Sequence, residues 1–156
     1  MASPPFSHIG IIVPNLERAI EAYSRLGLTF CAPRTVAVPR LCERGVDDVT
    51  LDLRVAFSYQ GPPRWELLEA VGEGIYGPQH IGQLHHVALA DSDPESRLAE
   101  LAGLGCHTTA AQFRDDGTMI VGYLDPESLG GIRIEMLDES VLGVIEGWTR
   151  GEEGVP

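Results

Sequence analysis

Apolar positions along this chain fall into one pattern, used twice. Phe6 to Val13 is a run rich in Ile and Val that Pro14 closes, which predicts a strand. Leu16, Ala19, Ile20, Tyr23 and Leu26 then recur at helical spacing, with Asn15 as cap, Glu17 in the first turn and Gly27 at the end. Three strand-like pieces follow, Thr29 to Val38, Val49 to Tyr59 and Arg64 to Ala70, the last two joined by Gly61-Pro62-Pro63. The second copy opens at His86 with Val87, Ala88, Leu89 and Ala90. Its helix has Asp93 as cap, Pro94 at the first position, Leu98, Leu101 and Leu104 as the stripe, and Gly105 as the stop. Strands are again expected at Cys106 to Phe113, Met119 to Leu124 and Ile132 to Leu137, separated by Asp115-Asp116-Gly117 and a loop ending in Gly130-Gly131.

Both halves therefore read βαβββ, the mark of a duplicated supersecondary unit in an α+β domain. The reading is one domain over 1–156: a first module at about 6–70, a glycine-rich linker at 71–83, a second module at about 84–138, and a C-terminal tail at 139–156. Within the tail, Ser140 to Trp148 is expected as a short helix and Gly151 to Pro156 as a frayed end.

Side chains alternate faces along a strand. In the first strand His8 and Gly10 share a face opposite Ile9 and Ile11, and His86 and Ala88 likewise lie opposite Val87 and Leu89. Each histidine is followed on its own face by a very small residue, read here as room for a ligand. Glu66 lies opposite Trp65 and Leu67, and Glu135 opposite Ile134 and Met136. A lone strand His or Glu is usually structural, but matched copies of both argue for a shared site. Two imidazoles and two carboxylates suit one divalent ion of Ni, Co, Mn, Fe or Zn, and softness does not choose among them. Four protein ligands on an octahedral ion leave two positions for a chelating substrate, whose carbonyl the ion can polarise toward an enediolate. His85 faces the other way and reads as structural, His80 and His107 as surface residues, and Asp47, Asp48, Asp52 and Glu69 as solvated.

Composition narrows the classes. Hydrophobic content of 44% with 22% charged residues is that of a globular protein, and no apolar run is long enough to cross a bilayer. The opening Met1-Ala2-Ser3-Pro4-Pro5 lacks a signal-type core, and the three cysteines, odd in number, read as reduced thiols, so a cytoplasmic location is expected. A net charge of −12 argues against nucleic acid or an anionic membrane as partner. All 11 basic residues are arginine, which removes lysine Schiff-base chemistry and a Walker-type phosphate loop.

With His8-Ile9-Gly10-Ile11, Trp65-Glu66-Leu67-Leu68-Glu69, Leu84-His85-His86-Val87-Ala88 and the stretch from Asp125-Pro126 through Gly130-Gly131 to Glu135, the sequence resembles the vicinal oxygen chelate superfamily. This is also called the glyoxalase/bleomycin resistance/extradiol dioxygenase superfamily. The resemblance runs from Phe6 to about Asp138 and is greatest to the branch containing methylmalonyl-CoA epimerase. It implies a half-open mixed β-barrel of two paired modules with flanking helices. It also implies His8, Glu66, His86 and Glu135 as metal ligands and Glu135 as catalytic base; that branch carries Gln where this chain has Glu66. A second acid is implied across the substrate, for which Asp48 and Asp52 are candidates without a close match. A homodimer and a small carbonyl or acyl substrate are implied as well.

The function expected is a metal-dependent isomerase, epimerase or lyase that removes a proton next to a carbonyl. Two alternatives stand beside it. An Fe(II) extradiol-type dioxygenase uses two His and one carboxylate, and a fourth ligand at Glu66 speaks against it. A non-catalytic binding or resistance protein of this fold lacks the metal constellation, which His8, Glu66, His86 and Glu135 supply.

Overall fold

The structure is a computed structural model in which residues 3–152 are described. The two repeats take the expected form. The first is β1 (Phe6–Val13), α1 (Leu16–Ser24), β2 (Arg34–Glu43), β3 (Val46–Phe57) and β4 (Arg64–Glu69). The second is β5 (Leu84–Asp91), α2 (Pro94–Gly103), β6 (Thr108–Phe113), β7 (Met119–Leu124) and β8 (Ile134–Asp138), and α3 (Glu139–Thr149) follows. Residues 153–156 of the expected frayed end lie outside the described residues.

Strand order is β1-β4-β3-β2-β6-β7-β8-β5, and β5 returns to β1. The modules thus meet along two antiparallel seams, β1 with β5 and β2 with β6. Where a half-open barrel is expected, the ring closes, through the short ladder from Arg40↔Phe113 to Glu43↔Ala110. Within each module the first strand pairs parallel with the last, β1 with β4 and β5 with β8, as a crossover through a helix requires.

Helix caps behave as the sequence implies: Asn15 accepts from the Arg18 N–H and Asp93 from the Ser96 N–H. The helical stripes are shorter than expected. Leu16 and Leu98 are buried, but Leu26 and Leu104 are 77% and 73% exposed. Both lie past the last helical residue, just before glycines whose φ of +87° and +90° turns the chain away from the sheet.

Strand edges also move. β2 begins at Arg34 rather than Thr29, because Pro33 has no N–H to give a ladder, and the stretch before it makes a single bridge, Phe30↔Ser58. It then runs on through Pro39, which falls where the β2–β3 register shifts, between Val38 and Leu41. β3 starts early, at Val46, so Pro39 to Arg54 is largely a long hairpin turned at Gly45. No helix among the described residues is long and apolar enough to cross a membrane.

The main core fills the space between α1, α3 and the sheet, and includes Ile12, Leu16, Leu67 and Leu137, all fully buried. A smaller cluster of Leu98, Leu124 and Met136 sits under α2. Inside the ring, polar groups replace this packing at one place.

Candidate metal centre

Cross-strand register builds the site. In one row Glu66 of β4, Gly10 of β1 and His86 of β5 lie side by side, and in the next His8 of β1, Ala88 of β5 and Glu135 of β8 do so. Each row thus has a carboxylate, a small residue and an imidazole, in opposite order. The space over Gly10 is not left for a ligand, as expected above: the His86 ring fills it. A Cβ on Gly10 would stand 2.1 Å from His86 Cε1.

All four predicted side chains come together, each less than a tenth exposed. The Nε2 atoms of His8 and His86 are 3.1 Å apart. Glu66 Oε2 is 3.4 Å from His8 Nε2 and 3.1 Å from His86 Nε2. Glu135 reaches His8 Nε2 at 3.3 Å and His86 Nε2 at 3.4 Å with its two oxygens. His8, Glu66 and His86 each offer a ligand atom, all within 4.8 Å of one another, and could hold a metal ion.

Whether these groups suit a cation is a question of lone pairs. The His85 Nε2–H donates to the Ile75 carbonyl at 2.7 Å, so in the neutral ring Nδ1 carries a lone pair. Burial, then the neighbouring His86 and Arg133, lower the pKa of His85 to about 2, and the ring stays neutral. His86 Nδ1, 2.9 Å away, must donate to it, which turns the Nε2 lone pair of His86 toward His8 and the carboxylates. Ser7 Oγ stands 2.9 Å from His8 Nδ1 and can fix that ring in the same way. Glu66 Oε2 is fully buried and, though close to both imidazoles, is aligned with neither as a hydrogen bond. An acceptor left so costs about 1–3 kcal/mol. Among His8, Glu66 and His86, donor separations of 3.1–3.4 Å match those around a first-row divalent ion, about 3.0 Å for octahedral neighbours and about 3.4 Å for tetrahedral ones at bond lengths near 2.1 Å, while Glu135 turns a different oxygen to each imidazole. The residues fit a divalent ion.

The same groups favour a proton on His8. Burial disfavours the His8 cation, but the Glu66 charge, the close approach of the Glu135 and Glu66 carboxylates, and the Glu135 charge outweigh it and raise the pKa to about 10. Glu66 and Glu135 are correspondingly held below the usual carboxylate range, burial opposing the shift and the two imidazoles driving it.

His85 is therefore more than the structural neighbour expected, since it sets the tautomer of His86 from behind. His85→Phe keeps the volume but removes the acceptor, and divalent-ion affinity should fall about 10–100-fold in a competitive chelator titration. Unchanged affinity would show that His85 only fills space. Other minor readings also shift. His80, expected on the surface, is half-buried with its ring 5.7 Å from that of His85. Glu69, expected to be solvated, is half-buried and accepts from the Leu16 N–H at 2.8 Å and from Arg54 at 2.9 Å, tying β4 to the start of α1. His107, Asp47, Asp48 and Asp52 are exposed as expected.

Beside the four groups lies a cavity of about 400 Å³, onto which His8, Glu66 and Glu135 open. It brings in residues that periodicity did not reveal. The hydroxyls of Tyr76 and Tyr123 are 2.5 Å apart, and Gln112 Nε2 donates to Tyr76. Tyr123 is the cross-strand neighbour of Glu135, and the Glu135 charge acts on its phenol. Since an amide N–H can only donate, one order serves every donor: Gln112 to Tyr76 and Tyr76 to Tyr123, which leaves the Tyr123 hydroxyl free to donate toward the neighbouring Glu135. Burial, then the Glu135 charge, push both phenols far above their ordinary pKa, so the chain stays neutral and aimed at the carboxylate.

The sequence profile of the Glyoxalase/Bleomycin resistance protein/Dioxygenase superfamily matches residues 7–123. The chain belongs to this superfamily. His8, Glu66 and His86 lie inside the matched span; Glu135 and α3 lie beyond it. Solved structures of the same fold include a hypothetical protein from Bacillus halodurans C-125, 24% identical, with a TM-score of 0.63 over 88% of this chain and 95% of that one. They also include the Streptomyces coelicolor methylmalonyl-CoA epimerase in complex with 2-nitronate-propionyl-CoA, 17% identical, with a TM-score of 0.62 over 88% and 95% of the two chains. The Mycobacterium tuberculosis methylmalonyl-CoA epimerase is 18% identical, with a TM-score of 0.54 over 85% and 86%. No curated protein sequence matches the chain.

Proposed function

We propose that this glyoxalase-superfamily protein is a divalent-metal-dependent isomerase, epimerase or lyase that removes a proton next to a carbonyl. The observation that carries the reading is the convergence of His8, Glu66, His86 and Glu135 at 3.1–3.4 Å across the barrel seam, with Glu66 Oε2 left without an aligned donor. In this reading these four residues hold the ion. A divalent ion there supplies Lewis acidity, stabilising negative charge on a carbonyl oxygen.

The chain's own residues do the rest. Glu135 opens onto the cavity, where its carboxylate can accept a proton from a substrate carbon. Tyr123 orients it and can reinforce its charge. The apolar side chains along the cavity, Leu53, Val55 and Phe57 among them, limit water at the carbon that loses its proton. Asp48 and Asp52 do not serve as the second acid: neither lines the cavity, Asp48 pairs with Arg40 at 2.8 Å on the exposed hairpin, and Asp52 alternates with inward-facing Leu53. The carboxylates that do line the cavity beside Glu135 are Glu66, Asp115 and Asp116.

The test is solvent exchange. Protein loaded with Co²⁺, Ni²⁺ or Mn²⁺ should wash deuterium into the α-position of α-hydroxycarbonyl or β-carbonyl carbon acids in heavy water, and chelator treatment should stop it. Full metal occupancy without exchange on any such compound overturns the reading, and oxygen uptake with catechols under Fe(II) replaces it with the dioxygenase one.

A further inference from the structure

The cavity changes character within one side chain of the metal centre. Its floor is His8, Glu66 and Glu135, but the Phe57 ring meets His8 edge-on at 5.3 Å and is itself 6.1 Å from the Trp148 ring. Leu53 and Val55 continue this wall along β3, and α3 adds Val144 and Ile145 beside Trp148. The segment forming α3 lies beyond the span matched by the superfamily profile.

Charge points the same way. Arg114 is the basic residue of the lining, and its guanidinium already donates to Ser140 Oγ at 3.0 Å and stands 3.8 Å from Asp138. Asp115 and Asp116 share that rim, on a chain of net charge −12. A phosphate-bearing carrier entering there meets negative charge, whereas an uncharged group entering the chamber meets aromatic and branched-aliphatic surface. At about 400 Å³ the chamber is in the lower part of the range of about 300–1,000 Å³ for small-molecule sites.

We infer that the site takes a small chelating carbonyl compound whose remaining body is uncharged and apolar, an aryl or branched-alkyl group seated between β3 and α3. The chelating half rests on the metal reading above; the apolar half rests on the walls alone.

Two arms separate them. In Co²⁺-loaded protein, benzohydroxamate should bind at least tenfold more tightly than acetohydroxamate, which has the same chelating head without the ring. Val144→Asp should erase that advantage and leave acetohydroxamate unchanged. In metal-free protein, the neutral aryl probe N-phenyl-1-naphthylamine should bind with a rise in fluorescence. Val144→Asp and the chamber-filling Val144→Phe, at a half-buried position of α3, should each weaken it at least tenfold. Equal affinity for the two hydroxamates, no binding of the naphthylamine, or malonyl-CoA binding more tightly than malonate overturns the inference. Naphthylamine binding in a protein that takes up no divalent ion supports the apolar half and overturns the metal reading together with the chelating half.

Discussion

Gly10→Ala is expected to cost this protein its metal affinity, by tenfold to a hundredfold or more, although Gly10 offers no ligand atom. The added methyl would lie 2.1 Å from Cε1, 2.5 Å from Nε2 and 2.6 Å from Nδ1 of His86. That ring is fully buried, held by His85 on one side and packed 5.7 Å from the Tyr123 ring on another. It cannot yield without breaking the His85 bond and drawing Nε2 away from Glu66. Overpacking of this kind costs about 1–3 kcal/mol in stability. Thermal melts and metal titration read the two effects separately, and a double-mutant cycle tests their cause. Gly10→Ala on a His86→Ala background removes the obstructing ring, so it should be nearly neutral for stability while remaining unable to bind metal well. If the two substitutions destabilise additively, the ring does not occupy the space over Gly10.

That example also marks what was readable from the chain. His8, Glu66, His86 and Glu135 stood out because alternation fixes the face of each strand residue and duplication repeats the choice. Their neighbours across the seam did not, because the β1–β5 register that sets Gly10 against His86 is a pairing of segments more than seventy positions apart. A small residue beside a histidine looks like free space along one strand and is filled by the opposite strand in the folded sheet. Tyr76, Gln112 and Tyr123 were hidden for a similar reason. They sit in the linker, β6 and β7, show no shared period, and become one hydrogen-bonded chain only when β7 pairs with β8 and the linker folds back under the barrel. Helix α3 was placed almost to the residue by its apolar content, but its role as a cavity wall depends on how the closed ring presents its open end.

Glu135→Gln should separate the two duties assigned to that residue. The amide has nearly the same shape and can still offer a carbonyl oxygen to a cation, but it cannot accept a proton from carbon. Metal affinity should therefore fall modestly, while α-proton exchange at saturating metal should fall about 10²–10⁴-fold, the usual contribution of a positioned base. Glu66→Gln is the matched comparison, since it places an amide where the epimerase branch resembled by this sequence carries one. It should keep exchange within about tenfold of the parent, because the hydrogen-bonded row of Gln112, Tyr76 and Tyr123 ends beside Glu135, and no such row ends at Glu66 among the described residues. Measured together at confirmed metal occupancy, the pair decides the assignment. Equal losses in both variants would mean that charge at the centre is what matters and that neither carboxylate is the specific base. A loss confined to Glu66→Gln would move the base to the first module, across the seam from where the tyrosine chain points.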